Sequence, residues 1–178
     1  MPPSSDAEPL LDVDDYARAA DGGVQIVVPC ALLFFPTPSD SVLDGTERAD
    51  RASADGSTVR RFSARCYASL LFDLGGSAAA CVGRTSAASA RDLATRGLDP
   101  VHLPAPRAPG PGALFPALDR LLTLARGAPG AVAVHWRGSI RDWRGSALGV
   151  MAAAFLISRF GFSGAEAAAW AHLVAAPA

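Results

Sequence analysis

Short runs of apolar residues alternate along the chain with stretches in which apolar residues recur every three or four positions. The short runs predict buried strands, and the longer periodicity predicts helices. The predicted strands are 24–28, 31–35, 77–82, 98–103 and 131–135, and the predicted helices are 62–74, 87–96, 114–126, 146–160 and 164–174. This alternation predicts a single-domain α/β fold with a central, mostly parallel sheet covered by helices.

Some of these elements carry further predictions. The strands at 24–28 and 31–35 flank Pro29-Cys30 and are expected at the edge of the sheet, where Pro is tolerated. The helix at 146–160 is apolar on nearly all sides, which predicts a central buried helix. Ser163 and Glu166 have the spacing of a capping box, which predicts the start of the last helix.

Two segments lack a strong apolar pattern. Residues 1–23 are polar and acidic, and we expect a tail that either docks on another surface or stays loose. Residues 37–61 form a long polar stretch inside the domain predicted over 24–178. Since so long a loop without secondary structure is unusual in a compact domain, this stretch is either a solvated insertion or a partner-binding segment that orders on contact.

Composition narrows the class of protein. The chain has 178 residues, of which 50% are hydrophobic, and its formal net charge is −1. These values fit one globular domain and exclude a disordered chain or a nucleic-acid binder that relies on global charge. All 16 basic residues are Arg, so a cluster of Arg is weaker evidence for function here than in a chain that also uses Lys.

The cysteines and the chain start give expectations about location. Cys30, Cys66 and Cys81 have no disulfide or metal-ligand spacing, so we expect three small buried side chains in a reducing compartment, with no metal and no cofactor. No signal peptide, transit peptide or membrane-spanning run is evident. We therefore expect a cytoplasmic protein, either free or part of an assembly.

The stretch 131–160 carries the candidate chemistry. A predicted strand ending at His135 is followed by a loop rich in Gly, Ser and Arg and then by a predicted helix. Strand, glycine-rich loop and helix form an arrangement that binds phosphate, because backbone N–H groups and a helix N-terminus converge on one point. Residues that could bind an anion in this loop are Gly138, Ser139, Arg141 and Arg144.

This layout resembles the signature loop of the protein tyrosine and dual-specificity phosphatases, where a strand ends in His-Cys, followed by five residues, an Arg and a helix. The resemblance extends over most of the chain in the order of its elements. The phrases at 131–135 and 162–170 look most like the mitotic-exit branch of the dual-specificity phosphatases. The resemblance implies a phosphatase-like fold over 24–178.

The chain departs from the family at the positions that carry catalysis. Trp136 stands where the family has its nucleophilic Cys, and Asp142 stands at the position of the anion-binding Arg. In the family a separate loop carries the Asp that donates a proton; here this acid loop is expected between His102 and Pro116. It has no Asp or Glu, and Arg107 falls near the position of the proton donor. Because such groups act as a unit, these combined departures imply a pseudophosphatase with no catalytic residues.

His135 is expected to have a structural role in which it hydrogen-bonds the loop backbone. Three alternatives remain for the loop that follows it. The loop either binds an anion without turnover, or its arginines form salt bridges with neighbouring residues, or Trp136 and Trp143 beside the arginines form a protein-binding patch. Ser139 with His135 as nucleophile and base has no supporting spacing.

The expected function is therefore binding. The leading hypothesis is a catalytically inactive, structural or protein-interaction subunit of a larger assembly, with protein partners, no nucleic acid and no membrane span. A phospho-ligand reader that uses the altered phosphate loop is the first alternative, and a weak atypical phosphatase is the second. The absence of export signals allows a cytoskeletal or ciliary location.

Overall fold

The computed structural model describes residues 13–38, 48–52, 58–83, 85–104, 111–136 and 147–174. Its strands are β1 (Gln25–Val28), β2 (Leu32–Pro36), β3 (Arg48–Ala52), β4 (Thr58–Phe62), β5 (Gly76–Val82), β6 (Pro100–Leu103) and β7 (Ala131–Trp136). Its α-helices are α1 (Val13–Asp21), α2 (Ala64–Asp73), α3 (Ala87–Ala94), α4 (Phe115–Gly127), α5 (Ala147–Phe160) and α6 (Gly164–Val174), and a short 3₁₀ turn (Pro111–Leu114) precedes α4.

Five strands form the central sheet in the order β1-β2-β7-β5-β6. β2, β7, β5 and β6 are parallel, and β1 pairs antiparallel with β2. The predicted α/β fold with a mostly parallel sheet is confirmed. The prediction of two edge strands is correct for β1 and wrong for β2, which lies between β1 and β7 and is paired on both sides.

Both faces of the sheet are buried, which explains why its strands are apolar without alternation. One face packs against α4, α5 and α6, and its fully buried residues include Phe34, Val132 and Val134. The other face packs against α1, α2 and α3 and includes Phe35 and Ala133. Since neighbouring side chains along a strand point to opposite faces, the two cores are built from alternate residues of the same strands.

α2, α3 and α6 begin close to where the sequence predicted, and a serine caps the first turn of each. The Ser63 hydroxyl accepts a hydrogen bond from the Cys66 N–H at 3.2 Å. The predicted capping box is present, since the Ser163 hydroxyl accepts from the Glu166 N–H at 3.3 Å and the Glu166 carboxylate accepts from the Ser163 N–H at 2.7 Å. These contacts satisfy N–H groups that the helix itself leaves free.

Helix α5 is not buried on all sides, so that prediction is wrong. Leu148, Met151 and Phe155 are buried against the sheet. In contrast, Val150 is 46% exposed and Ile157 is 44% exposed. An all-round apolar pattern therefore covers two different surfaces here, one facing the sheet and one facing solvent.

The polar segment 37–61 contains secondary structure that the sequence did not predict. β3 and β4 form a two-stranded antiparallel sheet in which Arg48 lies opposite Phe62. The apolar signal was missing because charged residues occupy three of the five positions in β3 and two of the five in β4. Phe62 is buried, and its ring lies 5.5 Å from that of Tyr67, centroid to centroid, which attaches the end of this hairpin to α2.

Part of the predicted acidic tail is a helix of the domain. α1 carries the buried Ala19, and Arg18 forms an exposed 3.3 Å ion pair with Asp73 of α2. The buried hydroxyl of Tyr67 donates a 2.7 Å hydrogen bond to the Gly22 carbonyl, just after α1. Residues 13–21 thus pack on the domain, and residues 1–12 lie outside the described residues.

Cys30, Cys66 and Cys81 form no disulfide, and they are not all buried. Cys81 is buried and Cys66 is half-buried, whereas Cys30 is exposed in the β1–β2 turn, so the expectation of three buried side chains is wrong for Cys30. Its backbone has a φ of 56°, in the left-handed region, and the Ala31 N–H closes the turn on the Val28 carbonyl at 3.1 Å. Turn geometry places this cysteine in solvent.

Candidate functional site at the carboxyl ends of the parallel strands

The four parallel strands end along one edge of the sheet, with β2 ending at Pro36, β7 at Trp136, β5 at Val82 and β6 at Leu103. In open α/β sheets, ligands bind outside the carboxyl ends of the strands, since the connecting loops meet there. The predicted strand and helix on either side of the candidate loop are confirmed as β7 and α5.

His135 is the predicted site residue whose side chain the structure describes. It is the penultimate residue of β7, the middle strand of the sheet, and its register neighbours are Phe35 on β2 and Cys81 on β5. The side chain is 1% exposed, and its ring lies 5.5 Å from the Phe35 ring at 48°. Phe35 also contacts Tyr67 at 5.5 Å, so the histidine sits against an aromatic cluster.

Neither ring nitrogen of His135 has a hydrogen-bond partner within the described part of the chain. Burial lowers the pKa of His135 to about 4, because the charged imidazolium loses its hydration there. At neutral pH the ring is therefore uncharged. The expected hydrogen bond to the loop backbone would involve residues 137–146, which lie outside the described residues, so it stays a prediction.

Cys81 is the functional group that sequence reasoning missed at this edge. It lies beside His135 in the sheet register and is fully buried. Burial raises the pKa of its thiol, so the thiolate is disfavoured. A buried, protonated thiol is a poor nucleophile. The strand pattern at 77–82 predicted β5, but only the pairing of β5 with β7 brings this cysteine next to the histidine.

Two hydrogen bonds hold residues that follow β5. Ser86 caps α3, accepting a hydrogen bond from the Ser89 N–H at 3.1 Å. Nδ1 of the exposed His102 on β6 lies 3.3 Å from the Gly83 carbonyl and donates to it in the Nδ1–H tautomer. The His102 contact links Gly83, at the end of β5, to β6, and the Ser86 cap stabilises the start of α3.

The remaining predicted site residues are placed only in part. Trp136 is the last residue of β7, and its backbone is in register with Pro36 and Val82. The other residues predicted for the altered signature loop and acid loop lie outside the described residues: Gly138, Ser139, Arg141, Asp142, Arg144 and Arg107.

Two searches of the described residues bear on cofactors and membranes. Among them, no group of three or more His, Cys, Asp or Glu side chains is arranged to hold a metal ion. The longest described helix, α5, has 14 residues, and none of the described helices has the length and apolar character that a membrane span requires.

Comparison with known proteins identifies the fold. No family model and no curated protein matches the sequence. Among solved structures, Tk-PTP in its active form matches with a TM-score of 0.51 and 17% sequence identity, covering 85% of this chain and 83% of Tk-PTP. A glycine-to-alanine mutant form of Tk-PTP gives a TM-score of 0.48 and 18% identity, covering 81% and 77% of the two chains. The chain thus has a protein-tyrosine-phosphatase-like fold, with a five-stranded, mostly parallel sheet flanked by helices.

Proposed function

We propose that this chain is a catalytically inactive phosphatase-like domain that acts as a structural or protein-interaction subunit of a larger cytoplasmic assembly. The observation that carries the proposal is the residue at the end of the middle strand. β7 ends in Trp136, at the position where the phosphatases that the sequence resembles have their nucleophilic cysteine. Indole cannot attack phosphorus, because its nitrogen only donates a hydrogen bond.

The chemistry of the neighbouring groups supports this proposal. Cys81 lies one strand away from β7, but burial raises its pKa and keeps its thiol protonated. His135 is uncharged at neutral pH, since burial lowers its pKa to about 4. The sequence adds Asp142 where an anion-binding Arg is expected and Arg107 near the position of the acid. A carboxylate at the anion site repels phosphate, and Arg does not release a proton at neutral pH.

Within the fold, we also propose descent from the mitotic-exit branch of the dual-specificity phosphatases, which rests on the phrases at 131–135 and 162–170. A cytoskeletal or ciliary assembly is the location we propose to examine first. The proposed descent comes from the sequence resemblance, and both proposals are independent of the proposed loss of activity.

The structural role is tested by the native size of the chain. Gently lysed cells are fractionated by gradient sedimentation, and the proteins that migrate with the chain are identified by mass spectrometry. We expect the chain in a large particle. Migration of the endogenous chain at its own mass of 18.2 kDa, or at twice that mass, would contradict the subunit role.

The loss of activity is tested separately on the purified full chain with para-nitrophenyl phosphate and a phosphotyrosine peptide. We expect no turnover, and we expect Trp136→Cys alone to stay inactive because Asp142 and Arg107 remain. Phosphatase activity of the wild type that persists in Ser139→Ala and co-purifies with the chain through successive columns would establish an atypical enzyme.

A phospho-ligand reader is the second candidate. It is favoured by the two ring nitrogens of His135, which are buried without a partner among the described residues, next to the loop that contains Arg141 and Arg144. A reader binds a phosphopeptide in competition with inorganic phosphate, and the double variant Arg141→Ala, Arg144→Ala weakens that binding. Arg159→Ala, on the last turn of α5, is the matched control. Equal binding by the double variant and the control would exclude the reader.

A further inference from the structure

An open groove lies at the amino ends of β5 and β6, at the opposite edge of the sheet from the candidate site. Its volume is about 440 Å³, which is within the range of pockets that bind small ligands. The end of α4 forms one wall, and the turn after α3 with the start of β6 forms the other. A ligand in this groove is therefore remote from the loop that follows β7.

The groove exists because glycine occupies a position on each wall. Arg120, Leu124 and Gly127 are spaced by four and three residues on α4, on the side that faces β6, where Nη1 of Arg120 donates a 2.9 Å hydrogen bond to the His102 carbonyl. The last of the three is glycine, and a Cβ at this position would meet no atom within 4 Å. Gly97, whose φ is +75°, leaves similar open space after α3. The groove thus lies where this side of α4 has no side chain.

The lining combines apolar surface with a negative charge. Val101, which is 37% exposed, and the partly buried Leu124 supply apolar surface. Asp99 is the only charged residue among the described residues that line the groove. Gly127 is the last residue of α4, so the negative end of the helix dipole lies at the same place. This combination suits a cation that carries an apolar stem.

Two basic residues next to the groove in sequence do not line it. The guanidinium carbon of Arg96 lies 6.0 Å from the centre of the Phe72 ring, on α2. Arg126 is exposed on the last turn of α4. Among the described lining residues, no positive side chain balances the Asp99 carboxylate.

We propose that this groove binds an arginine side chain of a protein partner, an inference that rests on the proposed interaction role. The cleft between α4 and β6 already holds one arginine, since Arg120 packs there with its guanidinium on the His102 carbonyl. Arginine suits the groove because its stem packs on apolar surface, and its planar head donates up to five hydrogen bonds to carboxylate and carbonyl oxygens. Arginine is also enriched at protein interfaces.

The ligand class is tested by NMR titration of the isotope-labelled full chain with N-acetyl-argininamide. We expect saturable shifts in the backbone amide signals of residues 77, 99, 123 and 127. The expected Kd is on the order of 1 mM, which is usual for so small a ligand. The citrulline analogue has the same shape without the charge, and it is expected to bind at least ~5-fold more weakly.

Three variants locate the site. Asp99→Asn removes the carboxylate and is expected to weaken probe binding about 3- to 10-fold. Gly127→Leu places a side chain on the same side of α4 as Leu124 and is expected to weaken binding at least ~3-fold, because it occupies the groove. Asp119→Asn makes the same change of charge at an exposed α4 residue outside the lining and is expected to bind like the wild type. The amide spectrum of each variant shows whether it is folded.

Three outcomes of the titration would overturn the inference: no saturable shifts at the groove up to about 20 mM probe, equal binding of the citrulline analogue, or equal affinities of Asp99→Asn and Asp119→Asn. In cells, the Asp99→Asn, Gly127→Leu double variant should leave the native particle, whereas Asp119→Asn should remain. A particle that retains the double variant excludes a partner arginine in this groove. Probe binding by a chain that sediments at its own mass would refute the subunit role and still support the ligand class.

Discussion

Protonation of His135 links the pH of the solution to the stability of the fold. The side chain is 1% exposed, and burial lowers its pKa in the folded protein to about 4 from the ordinary 6.5. The unfolded chain therefore binds a proton at a higher pH than the folded chain does. The free energy of unfolding is then highest above the unfolded pKa of 6.5 and decreases as the pH falls toward 4.

The magnitude follows from the size of this shift. The full shift corresponds to roughly 3 kcal/mol, and about 2 kcal/mol of that is lost between pH 7.5 and pH 5. His135→Leu replaces the ring by an apolar side chain of similar volume and removes two buried nitrogens that lack partners among the described residues. If residues 137–146 supply no partner either, we expect the variant to be more stable by about 1–3 kcal/mol at pH 7.5, because a buried polar group without a hydrogen bond is costly. The hydrogen bond to the loop backbone expected from the sequence predicts a loss of stability instead.

Urea denaturation at pH 7.5 and pH 5 measures both effects, and the comparison between variants isolates the histidine. Other groups titrate in this range, so the relevant quantity is the difference between the pH dependence of wild type and that of His135→Leu, expected to be about 2 kcal/mol. His172→Gln, which removes an exposed histidine on α6, is the control for the loss of an imidazole. A His135→Leu variant that keeps the wild-type pH dependence would refute the reasoning, since the titration would then not belong to His135. A loss of stability at pH 7.5 would instead show that His135 is hydrogen-bonded to the loop.

Three smaller changes test other contacts, each by urea denaturation with reductant present. Tyr67→Phe removes the 2.7 Å hydrogen bond to the buried Gly22 carbonyl and should cost about 1–2 kcal/mol, and an unchanged midpoint would mean that water replaces the hydroxyl. Ser163→Ala removes the cap that accepts from the Glu166 N–H and should cost about 1 kcal/mol, whereas Ser163→Asp should restore most of it. Cys30→Gly should stabilise the chain by up to ~1 kcal/mol, because glycine adopts the positive φ of this turn without strain, and a loss of stability would contradict that account.

The sequence predicted the central sheet because its strands are unambiguous. β5 and β7 are buried on both faces, so they appear as short continuous apolar runs between Gly or Pro residues, and the helices between them have clear apolar stripes. β3 and β4 were not predicted, since a small two-stranded sheet outside the main core needs few apolar residues and here contains mainly Arg, Asp and Thr. Apolar periodicity reveals strands that are buried, so strands with few buried residues are not predicted from it.

The sequence predicted where along the chain the candidate site lies, but not which residues surround it. Strand, loop and helix follow from residues 131–160, and His135 follows from its place at the end of the strand. That Cys81 and Phe35 lie beside it depends on the strand order β2-β7-β5, which local sequence does not specify. The pKa shifts of His135 and Cys81 have the same origin, because burial is a property of the assembled core.

The residues that form the core of this domain differ from the residue at the end of β7, where the related phosphatases carry their nucleophile. The fold therefore does not depend on which residue occupies that end. β7 is held by Val132 and Val134 on one face and by Ala131 and Ala133 on the other, all fully buried. None of these contacts requires a particular residue at position 136, where the strand ends. A change at that position therefore leaves these contacts intact. If Trp136 stands at the position of the phosphatase cysteine, as we propose, the same change removes the thiolate that the phosphatase mechanism requires. The uncharged outer side of α5 contributes nothing to the core. It would add stability only if another surface covered it.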